Sequence, residues 1–235
     1  MDPAFMADVF MQLIGGVPLM LKLVFVSVAA GAILAVALAL ARLSEVPPLD
    51  WLARAYVFFF RGTPLLVQIF LIYYGLAQFA EVRQSILWPF LREPYWCAVL
   101  AFTLNTAAYG SEIVRGGLLS VPAGQIEAAR AFGMSGLTLF RRIVGPIALR
   151  QALPSYGSEI ILMVKATSLA SIITLAEVTG IAHKLISQTF RAIEIFLVAG
   201  AIYLAINFLI TRFVLWAERR LSPDLNASAS TDAQR

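Results

Sequence analysis

Hydrophobic residues dominate five long stretches of the chain, each close to the ~20 residues that a helix rising ~1.5 Å per residue needs to cross a hydrocarbon layer. They cover residues 14–41, 55–79, 95–119, 156–176 and 193–216. The first is the cleanest, with Lys22 its only charge between Ile14 and Ala41. The second opens beside Arg61 and continues LLVQIFLIYYGL. The fifth ends at Arg212 and Trp216, residue types that anchor helices at a membrane interface. The pattern predicts an all-α, polytopic membrane protein with five transmembrane helices. Polar residues collect in one long connection, 120–150, and in the Ala/Ser-rich tail 222–235, which reads as disordered. The expected organisation is a transmembrane domain over 1–221 followed by that tail.

Composition sharpens this picture. Of 235 residues, 60% are hydrophobic and 14% charged, against about half and a quarter in soluble domains. Cys97 has no partner for a disulfide or an all-cysteine metal site, and a single histidine, His183, argues against zinc catalysis, so no metal site is expected. The basic residues choose the orientation. Arg42, Arg54 and Arg61 follow the first span, Arg115, Arg130, Arg141, Arg142 and Arg150 surround the long connection, and Arg212, Arg219, Arg220 and Arg235 end the chain. Only Arg83, Arg92, Lys184 and Arg191 fall on the opposite side. The excess places the N-terminus outside and the C-terminus in the cytoplasm. The net charge of +4 therefore reports topology, not nucleic-acid binding. Asp2 and Asp8, standing where a basic region belongs, argue against a cleavable signal peptide. No internal repeat is visible, which argues against an inverted-repeat secondary transporter. Five spans enclose a path only with a second chain, so a dimer is expected.

The connection SVPAGQIEAARAFGMSGLTLFRRIVGPIALRQALPS is too patterned to be slack. Glu127, Ala128 and Ala129 begin a helix-prone run, and Gly133 follows where a helix could end or turn. Leu137, Phe140, Ile143 and Val144 then recur at helical spacing until Pro146, which is expected to close that stretch. Two short helices with a glycine corner result. Such an element inserts into a groove on a partner protein or lies on lipid headgroups; the residues alone leave both open. Gly116-Gly117 followed by Pro122 is expected to end the third span and free the connection to pivot.

This segment resembles the EAA loop of ABC-transporter permeases, whose pattern is Glu-Ala-Ala, three residues, Gly, nine residues, Ile, one residue, Leu-Pro. Glu127, Ala128, Ala129, Gly133, Ile143 and Pro146 match, and Gly145 departs by replacing leucine. FRGTPLLVQ, AFTLNTAAYGSEIVRGGLLSVPAGQIEAARAFGMS and EIILMVKATSLAS are similar to the polar amino-acid subfamily of these permeases. The nearest resemblance is to the M-type subunits of histidine/lysine/arginine/ornithine and octopine/nopaline uptake systems. It implies a permease subunit of an inner-membrane importer of the type I fold, for polar, basic amino acids or opines. It further implies a second permease chain, homologous or identical, two ATP-binding subunits gripping the EAA loop, and an extracytoplasmic solute-binding protein. Lys22, Lys165 and Lys184 follow Leu21, Val164 and His183, so no phosphate loop GxxxxGK[ST] exists. The chain itself binds no cofactor and is not an enzyme; ATP and magnesium belong to the partner ATPase.

Ionisable groups inside the hydrocarbon cost about 2.5–3.5 kcal/mol on insertion scales and so mark candidate sites. Asn105, Tyr109 and Glu112 share one face of the third span. Glu159, Lys165 and Ser168 lie on the fourth. They predict a polar pocket in which Lys165 opposes a solute carboxylate and Glu112 or Glu159 attracts a cation. Alternatively, Lys165 pairs with Glu112 while Asn105 and Ser168 tie helices together. Lys22 is expected to snorkel to the interface. The rival functions are a self-contained ion-coupled carrier or channel, and a non-conducting membrane scaffold.

Overall fold

The computed structural model describes residues 2–221, and no strand occurs among them; the tail expectation for 222–235 lies outside the described residues. The chain opens with α1 (Pro3–Ile14) and turns at Gly15-Gly16 into α2 (Val17–Leu43). The apolar start of the sequence is therefore two helices. A Cβ at Gly16 would lie 2.6 Å from the Val178 backbone nitrogen, so glycine lets this turn touch the outer end of the bundle. α1 is held there by the Arg191 guanidinium, 3.7 Å from the Phe5 ring centroid.

The second span is not one helix. α3 (Pro47–Gly62) stops at Thr63-Pro64, and α4 (Leu65–Phe70) sets off at a bend of 104°, continuing through a π-turn and a 3-10 turn to Gln78. Proline removes a backbone donor at the corner, and its ring excludes the preceding residue from helical geometry. The buried Gln68 side chain repairs the break: its amide donates to the Phe60 carbonyl, the Thr63 carbonyl and the Thr63 hydroxyl at 2.9, 3.1 and 2.9 Å. Short turns α5 (Ala80–Arg83) and α6 (Trp88–Leu91) lead into α7 (Pro94–Leu119).

α7 is the axis of the bundle. It packs along α2, where a Cβ at Gly31 would lie 2.8 Å from Thr106, a small-residue contact of the kind that brings membrane helices together. Lys22 does not simply reach for water: its ammonium stands 4.9 Å from the centroid of the Tyr95 ring. Gly116 and Gly117 lie inside α7, and a Cβ at Gly117 would sit 2.7 Å from the Ala148 carbonyl. Gly117 lets α7 pack closely against the helix carrying Ala148, Gly116 has open space around it, and the pair does not end the helix.

After α8 (Ala123–Ala131), α9 (Gly136–Leu139) runs through a π-turn, Phe140–Val144, into α10 (Gly145–Ala166) and a 3-10 segment, Thr167–Ile173. Pro146 therefore closes nothing. The wider turn absorbs the missing amide, and Gly145 fits because a Cβ would lie 3.0 Å from the Phe140 carbonyl, brought close by that turn. Gly136–Ile173 forms one 38-residue helical unit, so the fourth span begins well before the expected residue 156. α11 (Val178–Thr189) is capped by the fully buried Glu177, whose carboxylate accepts from the Thr179 and Gly180 amides and the Tyr203 hydroxyl. Burial pushes this carboxyl, which lies outside the spans, above its ordinary range against the pull of those donors. α12 (Ala192–Leu221) completes the bundle.

Candidate functional site

Asn105 is buried on α7, and its side-chain amide donates to the Gln68 side chain at 3.1 Å and the Phe60 carbonyl at 3.4 Å. It thus belongs to the staple that holds the broken span. The same residue lines a cavity of about 210 Å³ together with Leu65, Tyr109, Glu159, Leu162, Met163 and Ala166. Glu159 is the chemical outlier there: it is 7% exposed and makes no hydrogen bond or ion pair among the described residues. A buried carboxylate normally has a partner, since removing an ionised group from water costs several kcal/mol unless something compensates it.

Tyr109 also lines a second cavity of about 400 Å³, below the first, with Arg61, Glu112, Gln151 and Ser155. Glu112 faces this second space and makes no ion pair with Lys165 among the described residues. It pairs with Arg42 at 2.6 Å and with Arg115 at 2.8 Å. Asp50 binds Arg54 at 2.8 Å and approaches Arg42 at 3.4 Å, which closes the network across α2, α3 and α7.

Lys165 and Ser168 line neither cavity. The Ser168 hydroxyl donates back to the Lys165 carbonyl at 2.7 Å. Lys165 is exposed, and its side chain makes no ion pair or hydrogen bond among the described residues. Gln151, Ser155, Ser158 and Lys165 are exposed on α10 at helical spacing, with Leu162 among them; the first two open onto the second cavity, so a largely polar stripe continues from the cavity mouth onto the outer face of a membrane helix. Bare lipid is a poor neighbour for such a stripe.

The connection forms its glycine corner through a closed cap. The Gly133 amide donates to the Arg130 carbonyl and the Met134 amide to the Ala129 carbonyl, at 2.9 and 3.0 Å, with Gly133 at φ 79°. Only glycine takes that conformation without strain. Glu127 and Ala128 are exposed, Ala129 is buried, Ile143 is half-buried and Pro146 is exposed. The sequence reading missed Phe132, which is 86% exposed at the tip of α8. The signal was available, since a lone aromatic beside a helix-ending glycine has no core to enter. It also missed Arg61 as a cavity residue.

The fold and the site define a membrane-spanning transport permease: a helical bundle with polar cavities at its centre and a structured handle on one side. Residues 27–223 match the model of the binding-protein-dependent transport system inner membrane component family, and the chain belongs to that family. The octopine transport system permease protein OccM of Rhizobium meliloti is 61% identical over 225 residues, which are 93% of this chain and 92% of that protein. The nopaline transport system permease protein NocM of Agrobacterium fabrum is 52% identical over 236 residues, covering 100% of this chain and 98% of the relative. Among solved structures, an amino acid ABC transporter with histidines superposes with a TM-score of 0.83 at 34% identity, over 94% of this chain and 99% of that one. The chain is therefore an inner-membrane permease subunit of an ABC importer of the amino-acid and opine class, and ATP hydrolysis lies in a separate subunit. A self-contained carrier is excluded by the same finding.

Proposed function

We propose that this chain forms half of the path for a basic amino acid or an opine of the octopine and nopaline type, and that the solute's cationic group is held by Glu159. The carrying observation is that carboxylate, enclosed beside Asn105 and Tyr109 yet left without a protein partner. A cation completes it. The other half of the path is a second permease chain, homologous or identical, facing the stripe of Gln151, Ser155, Ser158 and Lys165; Lys165 and Ser168 meet solute or partner there, and Glu112 serves as a structural ion-pair centre. The N-terminus lies outside and the C-terminus in the cytoplasm, as the arginine distribution requires. An extracytoplasmic binding protein delivers the solute. The cytoplasmic corner, with Glu127, Ala128, Ala129, Gly133, Ile143 and Pro146 shaping it and Phe132 at its tip, docks into a groove of the ATP-binding subunit, which uses ATP and magnesium.

The test is solute-stimulated ATP hydrolysis by the reconstituted importer, with octopine, nopaline, arginine and neutral amino acids as candidates. Stimulation by the cationic solutes alone is expected, and Glu159→Gln is expected to raise the half-stimulating concentration roughly tenfold to a hundredfold, the range for a charged hydrogen-bonded pair. An unaltered response in Glu159→Gln would overturn the assignment.

A further inference from the structure

We propose that Arg61 binds the solute's carboxylate and so makes this path selective for cations that also carry an anionic end; the proposal rests on the Glu159 site above. Four arginines, Arg42, Arg54, Arg61 and Arg115, gather around the lower cavity and its rim. Three of them are committed to carboxylates: Arg42 to Glu112 and Asp50, Arg54 to Asp50, and Arg115 to Glu112. Arg61 is not, having no carboxylate within ion-pair distance among the described residues. Asp50 and Glu112 thus hold three of the four guanidiniums and leave Arg61 outside the network.

The Arg61 side chain is also placed for the task. It leaves α3 one residue before the break at Gly62, and its guanidinium lies over Tyr109 at 5.1 Å from the ring centroid. A cation–π contact orients the planar group without consuming its donor edges, which remain for a carboxylate. Tyr109 lines both cavities, with the Arg61 guanidinium lining one of them and the Glu159 carboxylate the other, so the two unpaired groups belong to spaces that meet at one residue. Arg61 and Glu159 make no ion pair with each other among the described residues. An amphoteric solute bridges them, cation toward Glu159 and carboxylate toward Arg61 and the cytoplasmic side.

The experiment measures direct binding of two probes to the purified permease–ATPase complex without its solute-binding protein, which removes that protein's own selectivity. L-Arginine carries the carboxylate; L-argininamide replaces it with a neutral group of the same size. Wild type is expected to bind arginine roughly tenfold to a hundredfold more tightly than argininamide, as for a bidentate charge-assisted pair. Arg61→Gln is expected to erase the difference by weakening arginine alone, and Arg61→Lys to restore part of it. Glu159→Gln weakens both probes. Equal binding of the probes by wild type overturns the assignment even if no variant assembles, as does an equal loss of both in Arg61→Gln, which would make Arg61 a support of the helix break. Unchanged binding of both probes in Glu159→Gln defeats the cation site itself and is read independently of Arg61.

Discussion

At the scale of single residues, the site divides into groups that are spent and groups that are spare. Glu112 and Asn105 were both legible as intramembrane polar residues, and the face they share on α7 follows from helical spacing alone. Their partners were not legible. Arg42 reaches Glu112 across 70 residues of sequence, and Gln68 reaches Asn105 across 37. No local pattern encodes such contacts. Gln68 is the more informative case, because one buried side chain replaces the hydrogen bonds that Pro64 denies the backbone. Gln68→Leu keeps the volume, strands the Thr63 carbonyl and leaves the Phe60 carbonyl only its long bond from Asn105; a stability loss of about 1–3 kcal/mol is expected in detergent thermal unfolding, with Gln84→Leu on an exposed turn as the silent control.

At the scale of elements, regular apolar patterns gave good helices, and irregular ones concealed the features that matter. The third and fifth stretches each hold a single helix, α7 and α12, because nothing interrupts them. The second contains Gly62-Thr63-Pro64, which signals a corner but not its 104° angle. Pro146 misled in the opposite direction: proline usually ends a helix, but a π-turn one step earlier re-routes the carbonyls so that the helix continues. The corner at Gly133 was readable, since a left-handed residue closing a short helix is a local matter. Gly133→Ala is expected to cost about 1–2 kcal/mol of corner stability, seen as faster amide exchange in α8 and reduced coupling of hydrolysis to uptake. Phe132→Ala leaves the corner's backbone intact. It should weaken co-purification of the ATPase roughly tenfold or more while membrane insertion is unchanged, as loss of a buried aromatic anchor does.

At the scale of the whole molecule, the outward faces of two helices differ in character. α12 turns Leu204, Phe208, Leu209 and Phe213 outward, a surface suited to lipid, whereas α10 turns outward a stripe that lipid does not suit. Composition forecast a membrane protein, and span count predicts a second chain; neither could say which helix would face one, because that depends on which faces the bundle leaves uncovered. Ser158→Cys in a Cys97→Ser background is expected to cross-link to the second permease with a short bifunctional maleimide, and Phe208→Cys to give no such product. The unbroken run from Gly136 to Ile173 has a mechanical consequence. Glu159 rides the same rod whose lower end forms the far arm of the glycine corner, with no joint between them beyond the π-turn and Pro154. On the proposed assignment of Glu159 and of the corner, torque applied at the corner arrives at the carboxylate as rotation, and releasing the cargo and swinging the arm become one crankshaft stroke.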